Sequence, residues 1–357
     1  HPPLGGEEMA QRGHRVLFAA TDDDRHLVTS VAKGVQFLSC GAPPPDAPEA
    51  LELPALYQGE AMYAKTVFDA VVATLAANPP DLVVFDSLSI AGEGIAAHFN
   101  APSVAVSPHC SNLPMLGSEF SSRHPMIITG YTSSTMTFWQ RLHNRFSTLQ
   151  ARYLIPVMQH VMQHSARRHM GLPARFLASQ YPYGKTKLHI LGTVPGFEVP
   201  AQWSPMVQFA GPFLPRTHRD ISPEVLAWLD LPEAASFPVV YVAIGTNSYW
   251  TKDSAAAVLQ GVLELSTVRR SARVLWSIKQ DQMSLLDARL LEQLLAHPSD
   301  VLLTGPVEQL AVLQHPRVRA FVTHCGLSSL TESIFYGVPV VTMPMMLLSD
   351  QPTLAAR

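Results

Sequence analysis

Cysteine is scarce: Cys40, Cys110 and Cys325 are the only three in 357 residues, and they lie far apart. That spacing offers neither an even-numbered disulfide framework nor a CxxC zinc pair, and it fits a reducing, cytoplasmic setting. Charge is scarce too, at 15% of residues with a formal net value of −3. A nucleic-acid partner needs a basic face to neutralise phosphates, so none is expected. No apolar run reaches the roughly 18–20 residues of a membrane-spanning helix. No signal peptide is evident. No G-x-G-x-x-G follows a strand-like run, which counts against a redox NAD enzyme. An initiator methionine is also lacking, since the chain opens His1-Pro2-Pro3. It reads as a chain missing both ends, and membrane association through a missing end stays open.

What is present is apolar: 47% of residues are hydrophobic, enough for two domains. Strand-like runs alternate with helical stretches, which predicts a parallel α/β sheet in each. In the first half, Val16-Leu17-Phe18-Ala19 follows an Arg12-Gly13-His14 turn. Leu82 to Phe85, Ile90 to Phe99 and Ser103 to Val106 spell a βαβ unit. Thr137 to His164 can be written as one or two amphipathic helices, interrupted near Pro156. Their Phe138, Trp139, Met158 and Met162 read first as ordinary core. The polar stretch from Arg216 marks an interdomain connection, giving domains 1–215 and 216–357. Strands are predicted at 238–244, 273–276, 301–303, 320–322 and 339–341. In doubly wound sheets ligands gather beyond the carboxyl ends of the strands, and with two such domains the cleft between them is the default site.

One segment combines these features. Phe321-Val322-Thr323 runs through His324-Cys325-Gly326 into a helix that ends near Gly337. The first turn of a helix offers backbone N–H groups and a positive dipole end to phosphate. Gly326 lets a ligand approach, Ser328 and Ser329 add hydroxyl donors, and His324 can donate to a diphosphate oxygen. The Glu332 carboxylate suits the two hydroxyls of a ribose. Ser329-x-x-Glu332 is equally a capping box, explained by helix initiation alone.

Together with Gly337-Val338-Pro339, Pro344, Asp350-Gln351, Gln309 and Val240 to Thr246, this segment resembles the donor-binding signature of the UDP-dependent glycosyltransferases. Gly13-His14, Pro80-Asp81, Asp86, Ala101-Pro102 and Gly211-Pro212 match in order. The resemblance implies the GT-B fold: α/β, with two facing Rossmann-like doubly wound domains. Here the first domain binds the acceptor and lacks its first strand, and the second binds the nucleotide sugar and lacks its C-terminal end. It also implies that His324, Ser328, Ser329 and Thr246 hold the diphosphate, that Gly245 and Gly326 belong to the donor site, and that Glu332 binds the ribose. Val307 and Gln309 border the base, while Asp350 and Gln351 contact the transferred sugar. Pro306 stands where the family has a stacking tryptophan, and Glu308 where it has a proline.

By the same resemblance His1 is the general base and Asp86 its supporting carboxylate. The competing readings are a disordered terminal residue for His1 and a solvated or helix-capping aspartate for Asp86. No metal or other cofactor is expected, and Asp22-Asp23-Asp24 reads as a polar loop. The implied activity is inverting transfer from a UDP-sugar, with glucose the default, to a hydroxyl of a small lipophilic acceptor. The aromatic Phe120 to Phe146 region fits such an acceptor. Alternatives are a non-catalytic nucleotide-sugar-binding relative or a nucleotide-sugar epimerase.

Overall fold

A computed structural model describes residues 6–29, 33–42, 53–87, 89–107, 129, 131, 136–172, 186–198, 203, 205–215, 218–232, 236–245, 248–268, 271–345 and 350–356. The chain separates into two compact units. One comprises His1–Met126 with Ser133–Pro215, the other Ile127–Thr132 with Arg216–Arg357.

The first unit runs α1 (Gly6–Gln11), β1 (Val16–Ala20), α2 (Arg25–Thr29), β2 (Val35–Ser39), α3 (Leu53–Leu75), β3 (Val83–Asp86), α4 (Ile90–His98), β4 (Ser103–Ser107), α5 (Phe138–His169), β5 (Thr186–Leu191) and β6 (Val207–Phe209). The second runs α6 (Pro223–Leu229), β7 (Val239–Ala243), α7 (Lys252–Leu263), β8 (Arg273–Ser277), α8 (Ala288–Leu295), β9 (Val301–Thr304), α9 (Gln309–Gln314), β10 (Val318–Thr323), α10 (Leu327–Phe335), β11 (Val340–Thr342) and α11 (Gln351–Ala355).

In the second unit five strands form one sheet, in the order β11-β10-β7-β8-β9, and every pairing is parallel. A parallel sheet covered on both faces needs strands that are largely apolar: β7 is so throughout, and β8 between Arg273 and Ser277. Successive side chains point to opposite faces. Val239, Tyr241 and Ala243 therefore pack with α6 and α9 in one core cluster. Val242 and Ile244 pack with α7, α8 and Trp276 in the other. Each buried leucine or valine contributes roughly 1.5–3 kcal/mol. Arg273 opens β8 and is fully buried. Its guanidinium stacks on Trp228 at 3.8 Å and donates to the carbonyls of Trp228, Leu229 and Ser299. A cation thus sits at the C-terminal end of α6, where the helix dipole favours it.

The first unit holds two parallel sheets among its described residues, β1-β2 and β3-β4-β5-β6. One core cluster draws on both, joining Leu38 and Cys40 to α3, α4, the end of α5 and Val83. The βαβ unit β3-α4-β4 stands as the sequence spells it. Ser89 caps α4, its hydroxyl accepting from the Gly92 N–H at 3.2 Å. A Cβ on Gly92 would lie 2.2 Å from that of Phe85, so only glycine lets the helix lie this close to β3.

Of the one or two helices expected around Pro156, the structure has one: α5 is continuous through Pro156, without the expected interruption, and starts from a capping box between Thr137 and Gln140. An interior proline costs about 3 kcal/mol, which a helix of 32 residues with a closed N-terminus and packed C-terminal end can absorb. Nor are Phe138 and Trp139 core: they are 71% and 73% exposed. The side chains of Met158 and Met162 lie outside those described, as do Cys110 and Phe120.

Candidate functional site

The strand order of the second unit reverses between β7 and β10: the chain proceeds from β7 to β8 and β9, then returns to lay β10 on the opposite side of β7. Such a switch point opens a crevice at the carboxyl ends of the two strands. Thr323 and Ala243 end those strands side by side in register, so the turns that follow them are neighbours. Those turns are Ile244-Gly245 and His324-Cys325-Gly326.

The His324 ring is wedged between two glycines. A Cβ on Gly245 would stand 2.7 Å from its Cε1, and one on Gly326 2.5 Å from its Nε2. Gly245 also has φ +75°, a conformation that costs other residues energy. Cys325 adopts φ +65° although it carries a side chain. Its N–H donates to the Thr323 hydroxyl at 3.4 Å, and its thiol is buried and pushed up to about 11 by desolvation. The thiol therefore stays protonated and is no nucleophile. A non-glycine residue held left-handed between two site residues fits the pattern of strain stored at functional turns. Burial brings His324 down to about 4, so at neutral pH the ring is uncharged, with one N–H to donate. Its Nδ1 is buried without a hydrogen-bond partner.

Helix α10 starts at Leu327, with Gly326 as N-cap and no side-chain cap. Ser329 is thus three residues into the helix rather than at its cap, which removes the capping-box explanation for Ser329 and Glu332. Both face α9 instead. The Gln309 amide donates to Glu332 Oε2 at 2.6 Å and to Ser329 Oγ at 3.2 Å. Burial raises the Glu332 carboxyl above its ordinary range, opposed by the Gln309 hydrogen bond. With no acidic residue in the first turn, the N-terminus of α10 keeps its positive end for an anion.

Other predicted residues lie elsewhere in the two units or outside the described residues. Val307 follows β9 and packs on the core below α9. Glu308 forms an ion pair with Arg219 at 3.5 Å. Ser328 lies in the first turn of α10. Asp350 is the N-cap of α11. Gln351 is buried, and its side-chain oxygen accepts the Met345 N–H at 2.8 Å, so one end of its amide braces the preceding loop. Thr246 and His1 lie outside the described residues. Asp86 ends β3 and is exposed. It does not cap α4, because Ser89 does. Asp22 to Asp24 form a short helical turn after β1, with Asp22 and Asp23 exposed and Asp24 half-buried. Among the described residues no three His, Cys, Asp or Glu side chains are grouped to hold a metal ion, and no helix is long and apolar enough to cross a membrane.

Sequence reasoning missed the dual glycine wedge around His324. Its only signal was a glycine in the turn that follows each of two buried strands. That pattern identifies two turns but not that they meet.

Comparison with known proteins follows the same lines. A UDP-glycosyltransferase of Talaromyces amestolkiae is 27% identical over 285 residues, covering 74% of this chain and 51% of its own length. The chain thus spans about half the length of that curated relative. Among solved structures, the glycotransferase of kitacinnamycin superposes with a TM-score of 0.64 at 20% identity, over 99% of this chain and 79% of its own. A UDP-glucose:anthocyanidin 3-O-glucosyltransferase in complex with UDP superposes at 0.62 and 18% identity, over 99% and 78%. At these identities the solved structures establish the shared fold, that of GT-B glycosyltransferases. The model of the UDP-glucoronosyl and UDP-glucosyl transferase family matches residues 58–357, and with that match over most of its length the chain belongs to this family.

Proposed function

We propose that this chain binds a UDP-sugar at the β7–β10 crevice and transfers the sugar, with inversion, to a hydroxyl of a small lipophilic acceptor. The observation that carries the donor half is the neutral His324 ring, fixed by Gly245 and Gly326 beside the uncapped start of α10. The diphosphate accepts from the His324 ring and from backbone N–H groups of α10, with Ser328, Ser329 and Thr246 adding hydroxyls. Glu332, already aligned by Gln309, accepts from the ribose hydroxyls, and Val307 and Gln309 border the base. Asp350 and Gln351 contact the sugar, which we take to be glucose.

As the acceptor oxygen attacks the anomeric carbon, the bond from that carbon to the β-phosphate oxygen breaks and UDP leaves. Fixed N–H donors at a helix start stabilise the charge that develops on the departing diphosphate. The acceptor proton passes to a general base. We assign that role to His1, with Asp86 orienting it, on the sequence resemblance. In this reading no metal or other cofactor takes part. The lipophilic character of the acceptor is supported by the anthocyanidin named for one structural relative.

The test is a melting series with UDP, UDP-glucose, GDP and dTDP, followed by acceptor screening in the presence of the best donor. A ligand at about 100 times its Kd adds roughly 2.7 kcal/mol to the folded state, a shift of several degrees. UDP species should stabilise the wild type and leave a His324→Ala/Glu332→Ala variant unmoved. A folded wild type indifferent to every nucleotide would remove the proposal.

A further inference from the structure

Helix α5 is inside out along its first half. Its buried positions there are polar: Asn144, fully buried, with Ser147 and Thr148. Its exposed face is apolar, with Phe138, Leu142, Phe146, Leu149, Tyr153 and Val157 all in the solvent-exposed class. Intervals of three and four residues place these six on one side of a helix. At 1.5 Å per residue the stripe runs roughly 28 Å. Trp139 flanks it at 73% exposure, in edge contact with Phe138. An apolar strip of this length in water marks an interaction surface.

The charge on α5 says what kind of surface it meets. The helix carries Arg141, Arg145, Arg152, Arg167 and Arg168, four histidines, and no aspartate or glutamate. Arg167 turns inward to the buried Glu93, 3.8 Å away. Arg141, Arg145 and Arg168 are exposed. An apolar face with aromatic side chains, bordered by arginines and free of acid, has the composition of a helix that lies in a membrane interface. A second copy of the same stripe would set arginines against arginines, which disfavours self-pairing. A single convex ridge provides no groove for an acidic peptide.

The geometry points to the first half of α5 as a docking face for an anionic lipid surface, with Phe138, Trp139, Phe146 and Tyr153 inserted at headgroup level. Arg141 and Arg145 would meet the lipid charge. Because no described helix is built to span a bilayer, the contact is peripheral. The inference does not depend on the donor site.

The test is sedimentation of the chain with vesicles of phosphatidylcholine alone and of phosphatidylcholine mixed with phosphatidylserine. Binding should be strong to the mixed vesicles, weak to the neutral ones, and diminished by salt. At about 1 kcal/mol for each basic residue near the surface, Arg141→Gln/Arg145→Gln should weaken binding roughly 10- to 30-fold. Phe138→Ser/Phe146→Ser/Tyr153→Ser should abolish it while the UDP-induced melting shift persists. In the wild type, brominated lipid should quench a tryptophan signal that Trp139→Phe removes, which keeps the proposal testable if the triple variant fails to fold. Failure to pellet with either vesicle overturns it. So does a stripe variant whose only change is dissociation of a dimer, or loss of acceptor binding without any vesicle binding in the wild type.

Discussion

Two strand-to-helix junctions, one in each unit, share a topology and differ in how the helix begins. After β3, the Ser89 hydroxyl closes the start of α4, and Glu93 lies in its first turn. After β10, α10 begins on a bare glycine with no acidic residue in its first turn. The glycines differ in the same sense. Gly92 and Gly94 lie inside α4, where added Cβ atoms would strike Phe85 and Met170, so they serve packing. Gly245 and Gly326 lie in turns and make room for a histidine. A helix start satisfied by its own cap and carboxylate has little left for an anion, whereas an uncapped one beside an imidazole donor keeps its N–H groups and positive end available for one. Glycine-rich strand–helix turns are therefore distinguished by what fills the space the glycine leaves.

The largest effect should come from filling the wedge. Gly245→Ala places a methyl group against His324 and strains a left-handed residue, about 2–4 kcal/mol together, so UDP affinity should fall roughly 100-fold in a calorimetric titration. Next is the loss of the donor itself: a hydrogen bond to a charged partner is worth about 1.5–3 kcal/mol, and His324→Ala should weaken UDP roughly 10- to 100-fold.

Glu332→Gln should separate binding from stability. Burial raises this carboxyl in the folded state, so its contribution to stability is present at low pH and lost as pH rises through its folded titration range. The neutral variant should melt no lower than wild type at pH 7 while binding UDP about tenfold more weakly, on loss of a charged acceptor. The smallest effect belongs to the closed junction. Ser89→Ala removes a helix cap worth about 1 kcal/mol, which should lower the melting point by a few degrees and leave UDP affinity unchanged.

His324 also predicts a pH response. Its ring is held neutral, down to about 4, against an unfolded value near 6.5. The stability tied to the neutral ring is present above about 6.5 and lost as pH falls from there towards 4, on the order of 3 kcal/mol. Because desolvation penalises only the charged ring, melts of wild type and His324→Gln should keep a constant separation above about 6.5, and the wild type alone should lose this additional stability as pH falls towards 4.

The second unit was legible because its strands are buried on both faces, so β7, the 274–276 centre of β8 and the 320–322 stretch of β10 read as apolar runs that stop at glycine or polar turns. The motif residues sit at those stops, and position alone brought Gln309, Ser329 and Glu332 within one another's reach. The choice between cap and ligand site for Ser329 was not legible. It turns on whether α10 begins at residue 327 or 330, a shift that local pattern does not resolve. The brace from Gln351 to Met345 was hidden for a similar reason, because it spans a loop. Helix α5 was misread because apolar periodicity identifies a face without saying whether protein, lipid or water lies against it. An interruption was expected near Pro156 because sequence shows the cost of an interior proline but not the packing that offsets it.

The most direct test of the account is a calorimetric comparison of UDP and uridine binding to wild type and to His324→Ala. If the uncapped start of α10 and the wedged histidine hold the diphosphate, wild type should bind UDP far more tightly than uridine. The substitution should then erase most of that difference while leaving uridine affinity unchanged. Equal affinity for the two ligands in the wild type, or UDP binding indifferent to the loss of His324, would contradict it.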